Sequence, residues 1–234
     1  MPLFKISKKY NWFLRIIFYL YNLINFFLLK YRISIAYHYY SSDRLLKLIN
    51  KERFRGELLL TVNESFQLYE CVKSIAKKDG DLAEVGVYKG GSSLIIAKIK
   101  GKKKLHLFDT FEGLPQTESI DKYVESKFMV GSLEEVKDKL KNFPKIYFYK
   151  GMFQQKSKMI KKNKFSFVHL DVDLFSSTKA CLEFFYPRMV KGGIILTHDY
   201  PFMPGVKKAF DDFFKDKETC VIKMVGNQGL VIKL

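Results

Sequence analysis

Two short stretches place acids where chemistry uses them. Residues 168–179 read VHLDVDLFSSTK, with Asp171 and Asp173 two positions apart, and residues 192–200 read GGIILTHDY, an apolar run ending in His198 and Asp199. Positions i and i+2 of a strand share a side, so Asp171 and Asp173 project together if the strand persists. Two carboxylates at one point repel unless a cation or a proton lies between them. With Asp199 they form an oxygen-rich set suited to Mg2+, whereas His198 favours metals such as Mn, Fe or Zn that accept imidazole more readily. Ordinary structural roles compete with these. Asp173 or Ser176 can cap the helix that follows, and His198 can hydrogen-bond a neighbouring loop.

Two further stretches have the form of ligand loops. Glu84 to Ser93 reads EVGVYKGGSS, a glycine-rich turn that lets a ligand approach the backbone, with Gly86, Gly90 and Gly91 before Ser92. Tyr88 stands where a dinucleotide fingerprint beginning at Gly86 requires glycine, which argues against NAD. Taken alone, the turn suits either a cofactor or a plain strand-to-helix connection. About 25 residues after Glu84, LFDTFEGLP ends a second apolar run with Asp109 and Thr110. An acid at that place can accept from a ribose diol or serve the turn itself.

These residues require strands to carry them. Apolar runs at 82–87, 104–109, 145–150, 165–171 and 193–198 read as strands, and the stretches between read as helices near 92–100, 133–142, 177–190 and 205–215. That alternation predicts an α/β protein with a doubly wound, mostly parallel sheet. Residues 220–225 and 229–234, joined by Gly226-Asn-Gln-Gly229, read as a C-terminal antiparallel hairpin and bring the sheet to seven strands. Ligands of such sheets bind outside the carboxyl ends of the strands, where the acids above fall, along with Gly151 after the third strand. Residues 116–142 hold a charged helix with little to bury, fit to close the site or to form a surface insertion.

Composition divides the chain at residue 56. The net charge is +17, and residues 1–55 hold eleven Lys and Arg against Asp43 and Glu52, a surplus of +9. Residues 12–29, WFLRIIFYLYNLINFFLL, are the most apolar stretch; on a helix Asn11, Arg15, Asn22 and Asn25 make one narrow polar stripe. This pattern predicts an N-terminal amphipathic helix whose residues 8–32 contact a membrane surface, with packing in a homo-oligomer or a membrane span as alternatives. The basic cluster after it keeps residues 57–234 on the cytoplasmic side. Three widely spaced cysteines, Cys71, Cys181 and Cys220, suggest neither a disulfide framework nor a zinc site, in keeping with a reducing compartment.

Residues 57–234 resemble the macrocin O-methyltransferase (TylF) family through GDLAEVGVYKGGSS, LFDTFEGLP, YKGMFQ, HLDVDLFSSTKACLEFFYPRMVKGGIILTHDY and PGVKKAFDDF, in the family's order. The resemblance implies a Rossmann-like methyltransferase that uses S-adenosylmethionine and a divalent metal, Mg2+ in the first instance, to methylate a hydroxyl of a small molecule or saccharide. By the same carry-over, the loop from Glu84 through Gly86, Tyr88, Gly90, Gly91 and Ser92 holds the methionine part. Asp109 with Thr110 holds the ribose, and Gly151 to Phe153 borders the adenine. Asp171, which also lines the cofactor site, binds metal with His198 and Asp199, and Asp173 is the base. His198 departs from the family's usual Asp or Glu, leaving three states open: a ligand, a group behind the ligands, or the mark of a decayed site on a membrane-tethered binding protein. RNA is a weaker alternative acceptor, because no recognisable RNA-binding module accompanies the charge.

Overall fold

The computed structural model describes Leu20 and residues 43–114, 119–121 and 131–234. Contacts divide the chain into two compact units, Met1–Ser41 and Ser42–Leu234. The amphipathic segment at residues 8–32 lies outside the described residues, apart from Leu20. No helix among the described residues is long and apolar enough to cross a membrane.

The second unit runs α1 (Asp43–Phe54), α2 (Val62–Ser74), β1 (Asp81–Val85), α3 (Gly91–Ile99), β2 (Leu105–Asp109), α4 (Leu133–Leu140), β3 (Ile146–Lys150), α5 (Phe153–Lys156), β4 (Phe165–Leu170), α6 (Phe175–Phe185), β5 (Met189–Thr197), α7 (Pro204–Phe214), β6 (Ile222–Lys223) and β7 (Gly229–Ile232). The strands form one seven-stranded sheet in the order β3-β2-β1-β4-β5-β7-β6. The first five are parallel, while β7 is antiparallel to both β5 and β6. The chain winds outward from β1 to β3 and then restarts at β4 on the other side of β1. The crevice between the β1 and β4 tips is therefore the switch point at which such sheets bind ligands.

Alternation along the strands builds the two layers. Ala83, Val85, Phe108, Val168, Leu170 and Ile195 meet Phe153, Cys181, Leu182, Phe185, Val206 and Phe210 in a core formed with α5, α6 and α7. The intervening residue Glu84 faces the opposite layer, where it meets Ser93 of α3. A capping box starts α2, with Thr61 and Glu64 exchanging side chain and backbone bonds.

Three boundaries differ from expectation. The helix expected over 177–190 is α6 at Phe175–Phe185, followed by a 3-10 turn at Tyr186–Arg188. Pro187 lacks the N–H that would continue the helix, and Met189 already pairs with Phe165 as the start of β5. The hairpin's first strand is only two residues long. Helix α1, grouped with residues 1–56 by composition, belongs by its contacts to the unit of the sheet.

Lys139 of α4 ties α1 to this unit. Its Nζ donates to Glu52 Oε2 at 3.0 Å and to Glu57 Oε2 at 2.5 Å, and Glu52 is only 3% exposed. Burial alone would raise the Glu57 carboxyl, but Lys139 holds it below its usual value. Removing the ammonium strands a buried carboxylate, so Lys139→Met is expected to cost about 3 kcal/mol in urea denaturation. Glu52→Gln in the same background should recover part of the loss. A cost below about 1 kcal/mol would class the pair with screened surface bridges.

Candidate active site

The carboxyl ends of β1, β2, β4 and β5 meet around a cavity of about 350 Å³. It is lined by Gly86, Tyr88, Asp109, Thr110, Gly151, Phe153, Asp171, Asp173, His198 and Asp199, together with Leu59, Val172 and Met203. Among the residues singled out from sequence, Glu84, Gly90, Gly91 and Ser92 lie outside this lining. Glu84 is fully buried beneath the loop, accepting from Ser93 Oγ and pairing with His169 Nδ1 at 2.9 Å. Gly91 meets another demand: its N–H donates to Glu57 O at 3.1 Å, and an added Cβ would stand 2.3 Å from that oxygen.

Asp109, expected to accept from a ribose diol or to serve its own turn, also braces the Gly86 loop. Its Oδ2 accepts from Val87 N at 2.7 Å and Tyr88 N at 2.9 Å, and its Oδ1 accepts from Phe111 N at 2.7 Å. A carboxylate offers about four lone-pair sites, so these three bonds leave room for a ligand hydroxyl. They also hold two strained residues, since Tyr88 and Phe111 have φ of 52° and 53°. Asp173 and Asp199 have φ of 59° and 58°, so the tips of β1, β2, β4 and β5 each carry a non-glycine residue in the left-handed region. Each such residue costs on the order of 1–3 kcal/mol and persists only where its surroundings over-determine it, which marks this edge of the sheet.

The tips of β4 and β5 bring Asp171, His198 and Asp199 together, with one potential ligand atom from each within 4.8 Å of the others. His198 Nδ1 lies 2.9 Å from Asp199 Oδ2 and 3.3 Å from Asp171 Oδ1. Burial opposes charge on the imidazole, but Asp171, Asp199 and Glu64 outweigh it and raise the pKa of His198 well above its usual value. Asp171 responds oppositely: burial would raise its carboxyl, and His198 holds it low. Burial and the charges of Asp171 and Asp199 push Asp173 up to about 8.

This cluster requires a cation, either the imidazolium itself or a metal. Around a metal with ligand bonds of about 2.1 Å, adjacent donors stand roughly 3.0 Å apart at a right angle and about 3.4 Å apart at the tetrahedral angle. The two Nδ1-to-oxygen separations fall near those values and near hydrogen-bond distances from a protonated ring, so the same geometry suits an imidazolium or a divalent ion. The cavity also fits a nucleoside-sized cofactor, being within the usual range for ligand pockets of roughly 300–1,000 Å³.

Two contributors had not been expected. Asp173 does not cap α6; the N–H of Phe175 at the start of that helix is instead met by Asp121 Oδ1, at 3.0 Å, from within the 116–142 region. This leaves the Asp173 carboxyl with the site. The second is Glu64 of α2, whose Oε1 stands 3.6 Å from His198 Nε2. The pattern Thr61-x-x-Glu64 marks a helix start in sequence, but nothing local connects it to His198.

A family model described as macrocin-O-methyltransferase (TylF) matches residues 63–230. The 8-demethyl-8-(2,3-dimethoxy-alpha-L-rhamnosyl)-tetracenomycin-C 4'-O-methyltransferase of Streptomyces olivaceus is 26% identical over 152 residues, which cover 57% of this chain and 58% of that protein. The demethyldecarbamoylnovobiocin O-methyltransferase of Streptomyces niveus is 26% identical over 164 residues, covering 62% of each. The chain thus spans less than two thirds of the length of the curated relatives it matches. Among solved structures, the O-methyltransferase NovP superposes with a TM-score of 0.69 at 21% identity, covering 76% of this chain and 82% of that one. The calicheamicin methyltransferase CalS11 gives a TM-score of 0.63 at 17% identity, covering 86% and 98%. Both share the fold described above.

Proposed function

The chain belongs to the macrocin-O-methyltransferase (TylF) family, and from that premise we propose that it moves the methyl group of S-adenosylmethionine to a hydroxyl of a sugar or glycosylated small molecule, with a divalent metal at Asp171, His198 and Asp199. The observation that carries this reading is the meeting, in one cavity, of the Gly86 loop braced by Asp109 and the cluster of Asp171, Asp173, His198 and Asp199. Two named relatives are O-methyltransferases, one of them acting on a rhamnosyl-tetracenomycin. The described lining residues include no Lys or Arg to meet a phosphate backbone, which favours a small acceptor over a polynucleotide even though the chain carries +17.

S-adenosylmethionine supplies a methyl group already activated on a sulfonium, and a bound divalent ion lowers the pKa of the acceptor hydroxyl. The protein's share is placement and proton handling. Gly86 and Tyr88 form the wall on which the cofactor rests, and Asp109 fixes that wall through the backbone while keeping a lone-pair site for the ribose. Gly151 and Phe153 border the cavity at the β3 tip, where the adenine is expected. Asp171, His198 and Asp199 would hold the ion, and Leu59, Val172 and Met203 give the cavity apolar surface. Asp173 would receive the hydroxyl proton in its ionised form; burial and the charges of Asp171 and Asp199 favour the protonated carboxyl, and with a cation held by those two carboxylates it would stay ionised until the proton arrives.

Asp173→Asn is expected to lower single-turnover methyl transfer by about 10²-fold, with S-adenosylmethionine affinity measured by calorimetry staying within about threefold. The acceptor is to be found by following labelled methyl incorporation into glycosides and nucleotide sugars, with and without chelator. Failure of the full chain to bind S-adenosylmethionine would overturn the proposal at its root.

A further inference from the structure

We infer that Glu64 is a positioning residue, one that turns Nδ1 of His198 onto Asp171 and Asp199 and thereby gives the site a preference for divalent transition metals over Mg2+, an assignment that rests on the metal reading above.

Glu64 is 2% exposed and is held from two sides. Its Oε2 accepts from Thr61 N and Thr61 Oγ1, both at 2.8 Å, and its Oε1 accepts from Asn227 N at 2.7 Å. The hairpin turn closes on it so tightly that a Cβ on Gly226 would lie 2.5 Å from Oε1. The carboxylate held by these three donors stands 3.6 Å from His198 Nε2, at ion-pair range.

The two ring nitrogens of His198 thus have different neighbours. A neutral imidazole carries one proton and one lone pair, and the proton settles on the nitrogen that faces an outer carboxylate. Glu64 draws that proton to Nε2 and leaves the Nδ1 lone pair beside Asp171 and Asp199. Without Glu64, the proton belongs on Nδ1, where Asp199 accepts it at 2.9 Å, and the nitrogen ligand is lost. One nitrogen with two carboxylates suits Co2+, Zn2+ or Fe2+, whereas Mg2+ prefers oxygen throughout and gains little from imidazole.

The test uses the full chain stripped by chelation and titrated separately with Co2+ and Mg2+ in calorimetry, with the visible spectrum of the Co2+ form recorded. Wild type is expected to bind Co2+ at least about tenfold more tightly than Mg2+. Glu64→Gln should weaken Co2+ by roughly 10–100-fold and alter its spectrum, while Mg2+ affinity stays nearly constant. His198→Asp should abolish the preference, and Glu64→Gln should then have no further effect on Co2+. A wild type that binds neither ion overturns the metal reading and this inference together. A wild type that prefers Co2+, with a folded Glu64→Gln that binds it equally well and with the same spectrum, overturns the role of Glu64 alone. If Glu64→Gln does not fold, a His198→Asp protein that keeps the Co2+ preference still refutes the inference.

Discussion

Asp171→Ala is expected to abolish divalent-ion binding in calorimetry and to lower single-turnover methyl transfer by roughly 10³-fold or more, while S-adenosylmethionine still binds within about threefold of wild type. The size follows from the several kcal/mol that a correctly held ion contributes at a reacting oxygen, at about 1.4 kcal/mol for each factor of ten. The selectivity follows from the geometry. The Gly86 loop hangs on Asp109 through two backbone bonds, from Val87 N and Tyr88 N, and neither involves the Asp171 side chain. Loss of the Asp171 carboxylate leaves His198 Nδ1 with Asp199 as its remaining neighbour in the ligand set, and two donors on adjacent residues cannot enclose an ion. Asp199→Ala should do the same damage by the same route, and the double variant should be little worse than either single one, because groups that act as a unit are not additive. An Asp171→Ala protein that keeps methyl transfer within tenfold of wild type, with or without chelator, would show that Asp171, His198 and Asp199 do not work through a metal.

Much of this arrangement was legible because its signals are local. Each apolar run ends in its polar tip within a few residues, so Asp109, Asp171, Asp173, His198 and Asp199 could be placed at strand ends before any pairing was known, and all five line the cavity. Strand bounds slipped by a few residues where backbone rather than hydropathy decides them. β1 stops at Val85 because Gly86 turns away, with φ of 88°, although Val87 continues the apolar pattern. What sequence did not show depends on register between distant segments. Glu84 pairs with His169 across β1 and β4, 85 residues apart, so the residue that opens the glycine-rich loop also supports it from below as a buried carboxylate. Glu64 reaches His198 where α2 packs against the end of β5, and Asn227 of the C-terminal hairpin donates to the same carboxylate. Asp121 caps α6 from a charged region whose sequence announces no docking point.

Gly86→Ala should be the most damaging single-methyl change in the molecule. A Cβ at Gly86 would lie 1.8 Å from the backbone oxygen of Asp171, and no rotamer can relieve a contact with backbone. The strands are pinned on both sides of that point, with Gly86 N donating to Phe108 O and Asp171 N donating to Val85 O, both at 2.9 Å. Alanine must also adopt φ of 88°, which costs on the order of 1–2 kcal/mol before the clash is counted. Overpacking adds about 1–3 kcal/mol, so a loss of roughly 2–5 kcal/mol is expected, a large share of the stability of a typical domain. In a chain of this length that corresponds to a fall in melting temperature of about 10 °C. Because relief requires the β1 and β4 tips to part, S-adenosylmethionine binding and the Asp171 ligand position should fail together, even in whatever fraction stays folded. Gly56→Ala isolates the backbone part: its φ is 66° and nothing lies within 4 Å of the added Cβ, so only the conformational cost of about 1–2 kcal/mol remains. Equal melting temperatures for the two variants would mean that the tips of β1 and β4 move apart freely, and the close approach that joins the Gly86 loop to Asp171 would then not be a requirement of the fold.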